Sequence, residues 1–383
     1  LDFDTRSVKI AKAINLIAGD GKTHIYRVNT LDPRTWDEEA RVGIRDRLAH
    51  FDADTSKSEF NRKNYRFFDF DVVLTNPPFA GEIKDSRILH QYDIARKDAG
   101  SWETSMGRDI LFVERNLEFL KPGGRMAIVL PQGRFNNTSD EYLRRFVALR
   151  CRILAVVGLH VNTFKPHTGT KTSVLFVQKF TDAELKEREN FKVELGERFD
   201  SAIESIGIMD SDINWQYKSE IYKSDTTLYQ SFERLADEML MIKVGTRNAT
   251  QEQQLRQRVY DRVKSAYVEE VFTKRFDYAV FFATSEFCGK ENSGEYIFVE
   301  GPDKQPILDL YGHQIVDQDL YDVRTVLRTQ LDHLLQRDEN EPDKCADHER
   351  RYREILQYIP QRTTITESFI EFARSQALYF WKD

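Results

Sequence analysis

The chain has 383 residues, 40% apolar and 12% aromatic, which is enough to bury cores in more than one domain and rules out a disordered tail. With 63 acidic against 56 basic residues the formal net charge is −7, which excludes a generally basic nucleic-acid binder; such a role needs a local basic face or a partner that supplies one. Cys151, Cys288 and Cys345 lie far apart with no Cys-x-x-Cys pair, which argues against a disulfide framework or a metal centre and for a reducing, cytoplasmic setting, and no apolar run approaches the roughly 18 residues of a membrane span.

Residues 1–180 alternate helical and strand patterns as an α/β sheet does. Asp4-Thr5 opens a helix whose Ile10, Ile14 and Ile17 recur at helical spacing, and Gly19-Asp20-Gly21 ends it. His24 to Val28 reads as a short strand, and the polar, aperiodic residues 32–66 as a long loop. Phe70 to Thr75 reads as a compact buried strand running into Asn76-Pro77-Pro78-Phe79. A second helix sets Ile110, Val113, Leu117 and Leu120 on one face, stops at Lys121-Pro122-Gly123-Gly124 and hands over to a strand over Met126 to Leu130. A third follows Thr138-Ser139, with Glu141 placed to cap it and Leu143, Phe146 and Val147 inward, before strands over Ile153 to Leu159 and Thr172 to Val177.

Beyond Phe180 the pattern changes. Residues 182–189 are nearly all charged, and Leu228, Phe232, Leu235, Met239, then Leu255, Val259 and Val263 recur at helical spacing. Residues 181–275 thus read as a helical insertion: a helix pair broken near Gly245 to Thr250, or a charged arm offered to a partner. Residues 276–383 read as a mixed or helical region and a candidate docking surface. They hold Tyr278 to Phe282, a turn region over Gly289 to Tyr296, and helices around Val323 to Leu335 and Thr366 to Leu378.

The tetrapeptide carries the chemistry because of where it falls, at the carboxyl end of a strand, where open α/β sheets place ligands. An amino group on an aromatic base is a poor nucleophile until its hydrogens are gripped and its nitrogen begins to pyramidalise. The Asn76 side-chain oxygen and the Pro77 carbonyl supply two acceptors, the successive prolines fix their direction, and Phe79 offers a face on which an extruded base can stack. No ionisable base is required if the leaving group is a neutral thioether, so catalysis rests on orientation and fixed dipoles. The competing structural reading makes Asn76 a turn cap, the prolines strand terminators and Phe79 a core residue.

These residues, with Leu1-Asp2-Phe3-Asp4, the Asp109 to Gly124 helix ending in Leu-Lys-Pro-Gly-Gly, Ala127 to Pro131, Phe164-Lys165-Pro166 and Gly169 to Phe176, resemble the N6-adenine DNA methyltransferases, in particular the modification subunit of type I restriction systems. The resemblance implies a Rossmann-like S-adenosylmethionine-dependent core over 1–180, followed by mainly helical regions. It implies Asp2 on the cofactor's ribose hydroxyls, Phe3 beside its adenine, Asn29 and Thr30 at the adenine amino group, and Asn76 between cofactor and target. Asp4 is then a helix cap. It further implies a flipped adenine in double-stranded DNA, with Lys165 and Lys171 on phosphates, and a DNA-specificity subunit and a restriction subunit as partners.

Two departures stand out. Asn29 falls where the family commonly has Asp, which leaves a turn role open for it. The family's glycine-rich first loop, due before Asp2, is not in this chain; Gly19-Asp20-Gly21 follows a helix, and Gly21-Lys22-Thr23 is no phosphate loop because Leu16 occupies the glycine position. The core is therefore expected to lack its first strand and to bind cofactor poorly by itself. His160 and His167, which flank the Phe164 turn, and the basic group Arg144, Arg145, Arg150 and Arg152 read first as loop and solvated-helix residues. Guanine-N2 and protein-glutamine methylases share the tetrapeptide, and a non-catalytic assembly module is the remaining alternative.

Overall fold

The computed structural model describes residues 3–19, 25–36, 70–97, 100–206, 221, 224–242, 249–378 and 380. It divides into two compact units, Leu1–Phe180 with Ala279–Asp383, and Thr181–Tyr278. In chain order the elements are α1 (Thr5–Ile17), β1 (Phe70–Thr75), β2 (Glu82–Ile83), α2 (Ser86–Leu89), β3 (Met106–Gly107), α3 (Arg108–Phe119), β4 (Leu120–Pro131), α4 (Gly133–Asn136), α5 (Glu141–Ala148), β5 (Cys151–Gly158) and β6 (Thr172–Lys179). Then follow α6 (Asp182–Ile206), α7 (Thr226–Leu240), α8 (Ala249–Arg275), β7 (Phe281–Thr284), α9 (Val323–Arg337), α10 (Pro342–Leu356) and α11 (Ile365–Ser375).

The first unit is an α/β unit built on a mixed five-stranded sheet of order β1-β4-β6-β5-β7. β1 runs parallel to β4, the β5–β6 pair is antiparallel and joins β4 through β6, and β7 runs parallel to β5. The segment after residue 278 thus returns to the sheet. β4 buries every second residue along its second half, Met126, Ile128 and Leu130, against Ile110, Val113 and Leu117 of α3 and against Leu143, Phe146 and Val147 of α5.

Several local expectations change. β1 is not buried: it is last in the sheet order, and Phe70, Val72 and Leu74 are 44%, 48% and 78% exposed. Only Val73 packs against the core. Helix α1 forms with Asp4 as its cap, the carboxylate accepting from Ser7 N at 2.7 Å, yet Ile10, Ile14 and Ile17 are exposed and only Val8 is buried. His24 lies outside the described residues, and residues 25–28 hold a single bridge at Arg27 in place of a strand. Leu120 starts β4 instead of ending the helix, because the Lys121 to Gly124 turn, with Gly123 at φ 78°, is absorbed into the strand. Glu141 makes no cap bond; the residue before it, Asp140, is turned inward to an arginine.

The second unit buries Phe199 of α6, Phe232 and Leu235 of α7 and Val263 and Tyr267 of α8 in one core. The charged run 182–189 is the start of α6, and the expected break at 245–250 falls largely outside the described residues. No helix among the described residues is long and apolar enough to cross a membrane.

Candidate active site

β1 pairs with β4 up to Thr75↔Ile128, so Asn76-Pro77-Pro78-Phe79 leaves the sheet at the carboxyl end of β1, level with the middle of β4. Pro77 is buried, Phe79 half-buried, and Asn76 and Pro78 exposed. The Asn76 amide hydrogen-bonds to nothing among the described residues, and the residue is exposed. Among the described residues Asn76 makes no cap bond. No group in the tetrapeptide titrates.

Phe79 meets Phe164 in an edge-on contact, the ring centroids 5.5 Å apart and the planes at 76°. Phe164 lies on the connection between β5 and β6, which also carries Lys165, half-buried, and Lys171, exposed. That connection is held from a distance. Lys290 Nζ donates to Lys165 O at 3.1 Å, and Asn162 Nδ2 donates to Lys290 O at 3.3 Å. His160 Nδ1 accepts from Asn162 N at 3.2 Å and lies 3.2 Å from Cys288 Sγ, so His160 anchors the loop. Gly294, at φ 95°, packs against the Lys165-Pro166 backbone so closely that a Cβ would lie 2.6 Å from Pro166 N.

A cleft of about 720 Å³ is lined by Phe79 together with Gly81, Glu103, Asp109, Arg134 and Tyr142. Its floor is an ion cluster: Arg134 donates to both Asp109 oxygens at 2.7 and 3.1 Å and to Asp140 at 3.1 Å, with Asp109 1% and Asp140 6% exposed. Desolvation opposes the Arg134 charge and the two carboxylates more than offset it, so the guanidinium stays charged. Burial, reinforced by the Asp140 carboxylate, pushes the Tyr142 hydroxyl above its ordinary value.

The residues assigned to the cofactor are less assembled. Asp2 lies outside the described residues. Phe3 is 68% exposed, its ring 6.0 Å from the Arg27 guanidinium carbon. Asn29 Oδ1 accepts from Leu31 N at 3.1 Å, a local turn bond, and Thr30 is buried. An exposed aromatic ring and an amide without a partner among the described residues suit the purine and polar ends of an adenosyl group, so Phe3 and Asn76 fit S-adenosylmethionine in chemistry. Two of the four basic residues on or beside α5 are otherwise occupied. Arg144 donates to Asn137 O at 2.8 Å, and the Arg150 guanidinium lies 3.7 Å from the Phe146 ring centroid.

Phe164 as the neighbour of Phe79, and the Asp109–Arg134–Asp140 cluster, were not accessible from spacing. Arg134 lies 25 residues from Asp109 and Phe164 lies 85 from Phe79, and no periodicity links either pair.

The N-6 DNA Methylase family model matches residues 43–229. Over that stretch the chain is similar to the N-6 DNA methylases. More particularly, it is similar to modification subunits. The type I restriction enzyme EcoEI methylase subunit of Escherichia coli is 33% identical over 110 residues, 28% of this chain and 21% of that protein. The type II restriction enzyme and methyltransferase RM.Eco57I of Escherichia coli is 22% identical over 216 residues, 55% of this chain and 21% of that protein. A solved structure of a type I restriction-modification system methyltransferase subunit from Streptococcus thermophilus shares 23% identity, covering 37% of this chain and 33% of that one, with a TM-score of 0.25. The matched region spans about a fifth of the length of the curated relatives.

Proposed function

We propose that the protein of which this chain is part transfers a methyl group to the N6 amino group of an adenine flipped out of double-stranded DNA, as the modification subunit of a restriction system. The observation that carries this reading is Asn76: an amide with no partner among the described residues, at the carboxyl end of a strand, followed by a buried proline and an aromatic ring. S-adenosylmethionine would supply, when bound, a methyl on a sulfonium whose departure leaves a neutral thioether. Asn76 Oδ1 and the Pro77 carbonyl accept the two amine hydrogens, orient the nitrogen and sharpen its lone pair, while Phe79 holds the base by its face. With no titratable group in the tetrapeptide, the amine's proton leaves to solvent after transfer. Lys165 and Lys171, on the loop that reaches Phe79, would hold the flanking phosphates.

The acidic balance of the chain supports a division of labour in which a specificity subunit reads the sequence and a restriction subunit joins the assembly, in the cytoplasm. The decisive experiment is mass analysis of nucleosides from cells expressing the full-length protein with its partners. N6-methyladenine should rise in DNA and disappear with Asn76→Ala. A rise only in methylguanine of RNA or methylglutamine of protein would overturn the substrate assignment, and no methylated product would leave the assembly module.

A further inference from the structure

The loop that carries the tetrapeptide ends at a clamp formed by the first residue of α3. Arg108 Nε donates to Ala80 O at 2.9 Å, and its Nη2 donates to the same oxygen. The Arg108 backbone N–H donates to Gly81 O at 3.1 Å. The antiparallel pairing Glu82↔Gly107 and Ile83↔Met106 continues the tie. Thus the residue immediately after Phe79 has its carbonyl covered by two nitrogens of one guanidinium, and the residue after that is bonded to the backbone of the same arginine.

Gly81 makes the clamp close. Its φ of 95° suits glycine, and a Cβ there would sit 2.7–2.9 Å from the guanidinium atoms of Arg108. The clamp is in turn fixed below, because the next residue, Asp109, is locked by Arg134 to Asp140 and the first turn of α3 cannot swing. A carbonyl one residue from a stacking ring sets how far that ring projects.

We propose that Arg108 is a positioning residue that sets the depth and tilt of Phe79, and hence the platform for the flipped base, by clamping Ala80. The proposal rests on the reading of Asn76 to Phe79 as the grip on the target base. Arg108 touches neither base nor cofactor; it acts through Ala80. Its loss should therefore appear in turnover and not in cofactor affinity, and a lysine, which offers a single point donor to Ala80 O, should restore part of what alanine loses.

The test uses the full-length protein with its partners, unmethylated plasmid DNA and methyl-labelled S-adenosylmethionine, with melting recorded for each variant. Arg108→Ala should lower kcat by about 100-fold while the KM for S-adenosylmethionine stays within about threefold. Arg108→Lys should lie between alanine and wild type, and Gly81→Ala, which displaces the guanidinium, should lose turnover as Arg108→Ala does. If Arg108→Ala fails to fold, Arg108→Lys and Gly81→Ala decide. A kcat unchanged in any of the three, or a folded lysine variant no better than a folded alanine, overturns the clamp. Wild-type protein that transfers no methyl group overturns instead the reading of the site on which the clamp rests.

Discussion

β1 and β4 lie side by side in register, and both spell short apolar runs, yet they are opposite in character. Ile128 of β4 is fully buried, whereas Leu74, paired across from Ala127, is 78% exposed. β4 has β1 on one side and β6 on the other and is covered by α3 and α5; β1 is last in the sheet order, and among the described residues only Val73 reaches the core. The lesson is physical. An apolar run of five or six residues reports that a strand exists, not which side of the sheet is covered, and the strand that bears the tetrapeptide is the one held by fewer contacts.

That contrast can be broken by stability measurements. Ile128→Ala removes a side chain with no exposed surface and should cost about 2–5 kcal/mol in denaturant unfolding. Leu74→Ala should change stability by less than about 0.5 kcal/mol, because the exposed leucine leaves no cavity. Equal losses would mean that β1 is packed as firmly as β4.

At the end of β1 the predicted effect shifts from stability to rate. Asn76→Ala should lower methyl transfer by a factor of roughly 10²–10³, about 2.7–4 kcal/mol, while calorimetry finds cofactor affinity within severalfold of wild type, since the amide acts on the developing amine. Unchanged turnover would remove Asn76 from its role. Phe79→Ala should weaken engagement of the extruded base by roughly 1–3 kcal/mol, read as a fall in kcat with unmethylated DNA.

How much of this could be read from residues alone follows from the same physics. The helices α3 and α5 and the strands β5 and β6 were legible because Ile110, Val113 and Leu117, or the alternation after Thr172, repeat at one period against one core. Asn76 to Phe79 could be proposed from the sequence because the chemistry it would carry is local to four adjacent residues. The rest joins residues that no spacing connects: the edge contact of Phe164 with Phe79, the arginine between Asp109 and Asp140, and β7, which reaches β5 after more than a hundred intervening residues. Helix α6 falls within the helical insertion read over 181–275, but its own period was not legible because its exposed face opens on Asp182, Glu184, Lys186 and Glu187, which hides the spacing of Leu195, Phe199 and Ala202. The exposure of Ile10, Ile14 and Ile17 shows the converse, a helical period without a core to receive it.

Acid separates the site from the fold that carries it. The tetrapeptide has nothing to protonate, whereas the turn between α9 and α10 has a carboxylate whose charge is part of its structure. Arg337 donates to both Asp338 oxygens at 3.0 and 2.7 Å, and His348 Nε2 approaches one of them at 2.8 Å. The Arg337 hydrogen bonds first, then His348, hold the Asp338 carboxyl well below the usual carboxylate range. The unfolded chain then binds a proton more readily than the folded one as pH falls, so the contribution of Asp338 is complete above the ordinary carboxylate pKa of about 3.9 and is lost progressively below it. Asp338→Asn should therefore flatten the dependence of stability on pH below about pH 5 and leave methyl transfer at neutral pH unchanged. Denaturant midpoints measured at several acid pH values check this: an undiminished acid slope in the asparagine variant would mean that the loss of stability originates elsewhere, and a neutral-pH loss of turnover would mean that this turn and the end of β1 are not independent.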